Sequence, residues 1–145
     1  QELNFCQSDL VVLGTPVYAG RVPNVLLPFL REKIRGGGAL AVPVVLFGNR
    51  NYDDALIELR VLLREDGFLF VAAGAFVGEH SFSRTLGAGR PDDEDMAGQA
   101  AFAREICEKL AGQAGTEIRL LPSGGKHPSA PITPPGTAME TPSTS

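Results

Sequence analysis

Residues 10–23 read LVVLGTPVYAGRVP: an apolar run, Leu10 to Leu13, opens into a loop rich in glycine and proline and leads on to a segment of helical period. A short apolar run without strict alternation is the pattern of a strand covered on both faces, as the strands of parallel sheets are. Two further runs share it, Leu40 to Phe47 and Phe68 to Val77. The stretches between and after them carry apolar residues at helical spacing. They are Val25, Leu26, Phe29 and Leu30; Leu56, Leu59 and Leu63; and Phe102, Ile106 and Leu110. Each set forms one apolar stripe. The third helix has a start signal in Pro91-Asp92 and an acidic first turn, Asp93 to Asp95, where carboxylates cap free amides and meet the positive end of the helix dipole. Strand and helix alternate three times, which predicts an α/β domain with a doubly wound parallel sheet, right-handed crossovers and helices on both faces.

Composition sets the frame for that reading. A chain of 145 residues that is 43% hydrophobic and 21% charged has the make-up of one globular domain able to bury a core. The net charge of -4 and pI near 5.1 argue against nucleic acid as a partner, because phosphate binding needs a basic stripe. No apolar run approaches the roughly 20 residues of a membrane-spanning helix, so membrane insertion is not expected. QELNFCQSDL lacks the layout of a secretory signal, which makes the cytoplasm the expected location. Cys6 and Cys107 fit no disulfide framework or zinc spacing and are read as reduced thiols. Two thiols are also too few for an iron-sulfur cluster, which usually takes four.

From Pro122 onward the text turns to Pro, Gly, Ser and Thr without a hydrophobic period, so residues 1–121 are read as the domain and 122–145 as a linker or tail. Gly36-Gly37-Gly38 reads as a helix stop and turn before the second strand. Gly124-Gly-Lys126 follows no clear strand and opens no helix, so it is not read as a phosphate loop.

Ligands of open parallel sheets sit beyond the carboxyl ends of strands. The loops there are Thr15-Pro-Val-Tyr-Ala-Gly-Arg21, Gly48-Asn-Arg-Asn-Tyr52 and Gly78-Glu-His-Ser-Phe-Ser-Arg84. Glycine lets backbone approach a planar ligand, tyrosine can cover a ring face, and amide or guanidinium groups can bond ring carbonyls. A flat heteroaromatic fits that set.

TPVYAGRVP, FGNRNYDDAL, GAFVGEHSFSR and GRPDDED, in this order and at these strand ends, resemble the flavodoxin-like half of flavodoxin-ferredoxin fusion proteins. The resemblance runs from about Ser8 to Leu110. It implies a flavodoxin-like fold and an FMN-dependent electron carrier, with the ring held between the first two loops; flavodoxin is itself a standard example of the strand-end rule. The cofactor-binding residues implied are Thr15, Pro16, Val17, Tyr18, Ala19 and Gly20, with Gly48, Asn49, Arg50 and Tyr52. No catalytic side chain and no metal ligand are implied. Backbone around Ala19 and Gly20 is expected at the ring edge near N5, Tyr18 at a ring face, and Gly48 to Tyr52 at the pyrimidine end.

The sequence also departs from the family pattern. Flavodoxin-like domains begin with a strand and a phosphate loop, and residues 1–9 are too few to hold them. The expectation is therefore an incomplete domain of three recognisable core strands, without its N-terminal strand and phosphate loop. In the fusion family a Pro-rich linker leads to a ferredoxin part, and any iron-sulfur clusters would belong to that missing part. The expected partner is a ferredoxin-like redox protein or fused domain. A missing strand beside Leu10 to Leu13 would also leave an open sheet edge through which the chain could self-associate.

Plainer readings exist for each residue. Tyr18 packs as an aromatic at the strand end, Thr15 and Pro16 form a turn, Arg21 pairs with an acidic side chain, and Asn49, Arg50 and Tyr52 are loop residues ahead of a helix. His80 is the tempting general acid or base, although an electron carrier needs none, and with Glu79 and Ser81 merely adjacent in sequence and no G-x-S-x-G elbow a hydrolytic triad is not expected. Rival functions are an NAD(P)H:acceptor flavin oxidoreductase, with substrate stacked near His80 and Tyr18, and a non-flavin interaction module or inactive fragment.

Overall fold

The computed structural model describes residues 1–112 and 120–122. In chain order the elements are β1 (Leu3–Asn4), β2 (Leu10–Pro16), a single 3-10 turn (Asn24–Leu26), α1 (Leu27–Lys33), β3 (Ile34–Arg35) and β4 (Leu40–Phe47). They continue as α2 (Ala55–Glu65), β5 (Leu69–Phe70), β6 (Ala73–Val77), α3 (Asp93–Ala111) and β7 (Leu120–Pro122). The main sheet runs β2-β4-β6-β7, with β5 also on β4, and every pairing in it is parallel. β1 and β3 make a separate two-stranded parallel pair. This is the α/β arrangement with a parallel sheet that the alternation predicts, and it is consistent with a flavodoxin-like fold. The described strand order advances in one direction and contains no reversal.

Helices lie on both faces. Ala41, Val45 and Phe47 of β4 pack with Leu30 of α1 and Leu56, Leu59 and Leu63 of α2. On the opposite face Val42 and Val44 pack with Phe76 of β6 and Phe102 and Ile106 of α3. The odd and even residues of β4 thus serve two cores, as the period of a strand requires. The second and third helical stripes match the sequence reading, apart from the half-exposed Leu110. The first does not: Val25 and Phe29 face outward, and Leu26, Leu27 and Leu30 face inward. Val25 sits in the 3-10 turn, and the α-helix begins only at Leu27, with Pro28 in its first turn.

The first apolar run is not buried on both faces. Val11, Leu13 and Thr15 face the α1–α2 core, whereas Leu10, Val12, Gly14 and Pro16 are exposed. Among the described residues β2 has no strand beyond it, and α3 packs over β4 and β6, so no described helix covers its even-numbered face.

The run Phe68 to Val77 also departs from a single strand. Leu40 pairs with Leu69, but Val44 pairs with Gly74, so β5 and β6 differ in register by one residue. The extra residue falls at Val71–Ala72, alongside Pro43. Hydrogen bonds from Val71 N–H to Ala41 C=O and from Gly78 N–H to Phe47 C=O show that odd-numbered residues of β4 face this neighbour. Pro43 has no N–H to give it, and a one-residue bulge is the usual accommodation of proline inside a sheet.

The start of α3 is built as its sequence indicates. Asp92 accepts from Asp95 N–H and the Asp95 carboxylate accepts from Asp92 N–H, both at 2.9 Å, a reciprocal capping box. Gly36 to Gly38 turn the chain into β4, but after β3 rather than directly at a helix end. Gly36 has no room for a side chain, since an added Cβ would stand 2.7 Å from both the Gly67 backbone and the Phe68 ring. β7 is a strand that the sequence reading did not include, and Pro122 ends it. The remaining tail, with Gly124-Gly-Lys126 and His127, lies outside the described residues. No helix among the described residues is long and apolar enough to cross a membrane.

Candidate functional site

β2 and β4 are in register to their ends, Pro16 against Leu46, so the loops that follow emerge side by side at one end of the sheet. The first loop is shorter than its sequence implies, because Thr15 and Pro16 belong to β2, with Thr15 only 1% exposed on the core side. Val17 N–H still bonds Leu46 C=O, and its side chain packs on the core. Beyond it the chain reverses tightly. Tyr18 N–H donates to Arg21 C=O and Arg21 N–H to Tyr18 C=O, both at 3.0 Å. Ala19 and Gly20 between them have φ of 50° and 76°, the pattern of a type I′ turn.

That turn is held from below by Glu58 of α2. Arg21 donates from Nε and Nη2 to the two Glu58 carboxylate oxygens at 3.0 and 2.7 Å, and the backbone N–H of the buried Val22 adds a third bond at 2.9 Å. The acidic partner foreseen for Arg21 is therefore Glu58. Hydrogen bonds from the Arg21 guanidinium and from Val22 N–H hold the Glu58 carboxyl below its ordinary range.

The second loop folds on Asn51, whose side-chain oxygen accepts from Tyr52 N–H and Asp53 N–H. Asn49 and Asp53 have φ of 57° and 39°. Tyr52 is half-buried with its ring 5.1 Å from that of Phe47, so it is anchored to the core. Asp53 and Gly20 bring the two loops together: a Cβ on Gly20 would stand 2.4 Å from Asp53 Oδ2. Between the loops lies a recess of about 720 Å3, lined by Ala19, Gly20 and Arg21 on one side. Asn51, Tyr52, Asp53 and Asp54 line the other.

Of the ten residues expected at a ring site, the recess gathers Ala19, Gly20 and Tyr52. Tyr18 stands beside it, 61% exposed. Thr15, Pro16, Val17, Gly48, Asn49 and Arg50 do not line it. Asn51, Asp53 and Asp54 were not among the ten, and the Asp-Asp ahead of a helix reads as an N-terminal signal rather than as lining. A better signal was Gly20, which matches a neighbour that needs the space.

All the non-glycine residues with positive φ among the described residues, Ala19, Asn49 and Asp53, lie on these two loops. Such backbone is costly for residues with a Cβ and concentrates at binding sites. The recess is electronegative, since Asp53 and Asp54 carry carboxylates and Arg21 is committed to Glu58. The N–H groups of Ala19 and Gly20 make no hydrogen bond within the described residues.

The third loop reaches the second through His80, which lies so close to Gly48 that a Cβ there would be 2.7 Å from its ring. His80 Nδ1 accepts from Phe82 N–H and Ser83 N–H, both at 3.1 Å, and so caps a turn. The neutral ring then carries its proton on Nε2. No hydrogen bond joins His80 to Glu79 or Ser81 among the described residues, as a hydrolytic triad would need. Nor do those residues contain a group of three or more His, Cys, Asp and Glu side chains able to hold a metal ion.

No protein-family model matches the chain, and no curated protein or solved structure matches it either.

Proposed function

We propose that this domain holds a flavin ring at the recess between its first two strand-end loops and serves as an FMN-dependent electron carrier. The observation that carries the reading is the convergence of two left-handed loops, Tyr18 to Arg21 and Asn49 to Asp53, at the carboxyl ends of adjacent parallel strands. The residues suit a planar, neutral ring. The turn offers the Ala19 and Gly20 N–H groups to a ring edge, and Tyr18 offers an exposed aromatic face. They do not suit a phosphate, because Asp53 and Asp54 repel it and the Arg21 guanidinium is taken by Glu58. A bound flavin would supply the redox chemistry, and the protein groups would set its potential and limit solvent access. Electrons would pass to a ferredoxin-like partner or fused domain.

The test is titration of FMN and of lumiflavin, which is the ring without ribityl phosphate, into the chain, followed by flavin fluorescence. Quenching by both is expected, with FMN no tighter than lumiflavin, because the recess addresses the ring and offers the phosphate only carboxylates. Absence of quenching by either sinks the reading. Steady NAD(P)H oxidation with a small quinone would favour the oxidoreductase instead. Among the described residues the edge of β2 is unpaired and uncharged, which favours a second reading, an interaction module.

A further inference from the structure

His80 sits half-buried in the third strand-end loop and does not line the recess. Its Nδ1 accepts from Phe82 N–H and Ser83 N–H, and the Ser83 hydroxyl oxygen in turn accepts from Thr85 N–H and Leu86 N–H at 3.3 and 3.1 Å. Leu86 C=O then accepts from His80 N–H at 3.2 Å. Residues 80–86 thus form a closed circuit of turns that starts and ends on one histidine.

The circuit meets the second loop at two points. His80 lies over Gly48, where an added Cβ would stand 2.7 Å from its Cδ2 and 2.9 Å from its Cα and Cβ. Gly87, directly after the circuit, is buried, and a Cβ there would stand 2.6 Å from Gly78 C=O and 3.5 Å from Asn49 Cβ. The second loop needs such support at this end. Its far end is fixed by Tyr52 on Phe47 and by the Asn51 side chain, but Asn49 and Arg50 make no hydrogen bond within the described residues. Asn49 also stands at φ of 57°, and left-handed backbone outside glycine persists where its surroundings fix it.

We propose that His80 is a positioning residue: by capping the third loop it braces Gly48 and Asn49, and so holds the second loop in the shape that lines the recess. Its working part is the acceptor nitrogen, and no proton is transferred. Asparagine reproduces that part, because Oδ1 of Asn and Nδ1 of His are both bonded to Cγ, and an Asn side chain accepts readily from the backbone N–H two residues on. The bracing of one loop by the other stands on the contacts themselves; its effect on a ligand rests on the recess being the flavin site proposed for it.

Limited trypsin digestion followed by mass spectrometry reads both loops, since Arg84 lies exposed in the third and Arg50 exposed in the second. His80→Ala is expected to speed cleavage after Arg84 and, through the lost brace, after Arg50, each at least about fivefold, because cleavage follows the population of the open loop. His80→Asn is expected to be cut at the native rate at both. Gly48→Ala, which forces the loops apart while leaving the acceptor in place, is expected to speed cleavage after Arg50. Cleavage after Arg104, inside α3, reports opening of the whole domain and is expected to stay unchanged in all three variants. Faster cleavage after Arg84 alone makes His80 a local cap and overturns the proposal, as does an Asn variant that behaves like the Ala variant or a rise of equal size after Arg104. In the lumiflavin titration His80→Ala is expected to weaken quenching about tenfold and His80→Asn to preserve it. Native affinity in a His80→Ala chain whose second loop has opened overturns the link to the recess. Absence of quenching in the native chain sinks the carrier reading instead and leaves the digestion result standing.

Discussion

Glu58 is where α2 holds the Tyr18–Arg21 turn, and removing its acceptors has a cost that can be worked from the geometry. The Glu58 side chain is 15% exposed and that of Arg21 60%, so their ion pair is screened by solvent and contributes the smaller share. The larger share is the Val22 amide. Val22 is 1% exposed, and Glu58 Oε2 is the acceptor of its N–H at 2.9 Å. Leaving a buried donor unpaired costs about 1–3 kcal/mol. Glu58→Gln can keep one oxygen as acceptor for Val22 N–H but loses the charge and the second acceptor, which served the exposed Arg21 guanidinium, so the smaller loss, about 1 kcal/mol or less, is expected. Glu58→Ala loses both, and about 1.5–3 kcal/mol is expected, which at about 4 °C per kcal/mol is readily seen in thermal unfolding. Urea denaturation should give the same order with an unchanged slope. The pH dependence is fixed in sign. The folded Glu58 carboxyl titrates below its ordinary value of 4.5, held there chiefly by Arg21. Its contribution is therefore present above that value and is lost as pH falls through the folded pKa. The gap between native and Glu58→Gln should close in acid. An Ala variant as stable as the Gln variant, or a gap that persists unchanged down to about pH 2, refutes the reasoning.

Asp95, 1% exposed, is paired with the Arg90 guanidinium and with Asp92 N–H, so Arg90→Ala strands a buried carboxylate and should cost about 3–5 kcal/mol by urea denaturation. The Arg90 hydrogen bond holds the Asp95 carboxyl below its ordinary range, so this contribution too is present at neutral pH and disappears as pH falls through the folded pKa. Ala19→Asn replaces a strained residue by one that tolerates φ of 50°, and should raise stability by about 0.5–1 kcal/mol in thermal unfolding without loss of flavin quenching. At Asp66, burial raises the carboxyl above its ordinary range, and Oδ2 has no hydrogen-bond partner. Its stabilising state is the protonated one, lost as pH rises through the folded pKa. Asp66→Asn should therefore be as stable as the native chain or more so at pH 7, and the advantage should vanish in acid; a clear loss at pH 7 would show that the 3.8 Å pair with Arg35 dominates.

What the sequence determined by itself is what neighbours along the chain decide. The apolar run Leu40 to Phe47 is buried, apart from Leu46 near its end, because it is long and uniformly apolar, α2 follows from the spacing of Leu56, Leu59 and Leu63, and α3 starts where Asp92 and Asp95 can cap each other. The two loops were legible at the strand ends for the same reason, since Gly20 and the Tyr-Ala-Gly-Arg turn are local features. Only the tertiary structure decided the rest. Whether Leu10 and Val12 are buried depends on what lies beside β2, and the composition of the run is the same in either case. The break at Val71–Ala72 is set by Pro43 on the adjacent strand, almost thirty residues earlier in the chain. Arg21 finds Glu58 across 37 residues, and Gly20 makes room for Asp53, because two parallel strands in register bring their following loops together. Periodicity and capping are written in consecutive residues, whereas edges, bulges and the lining of the recess arise from which segments become neighbours once the sheet has formed.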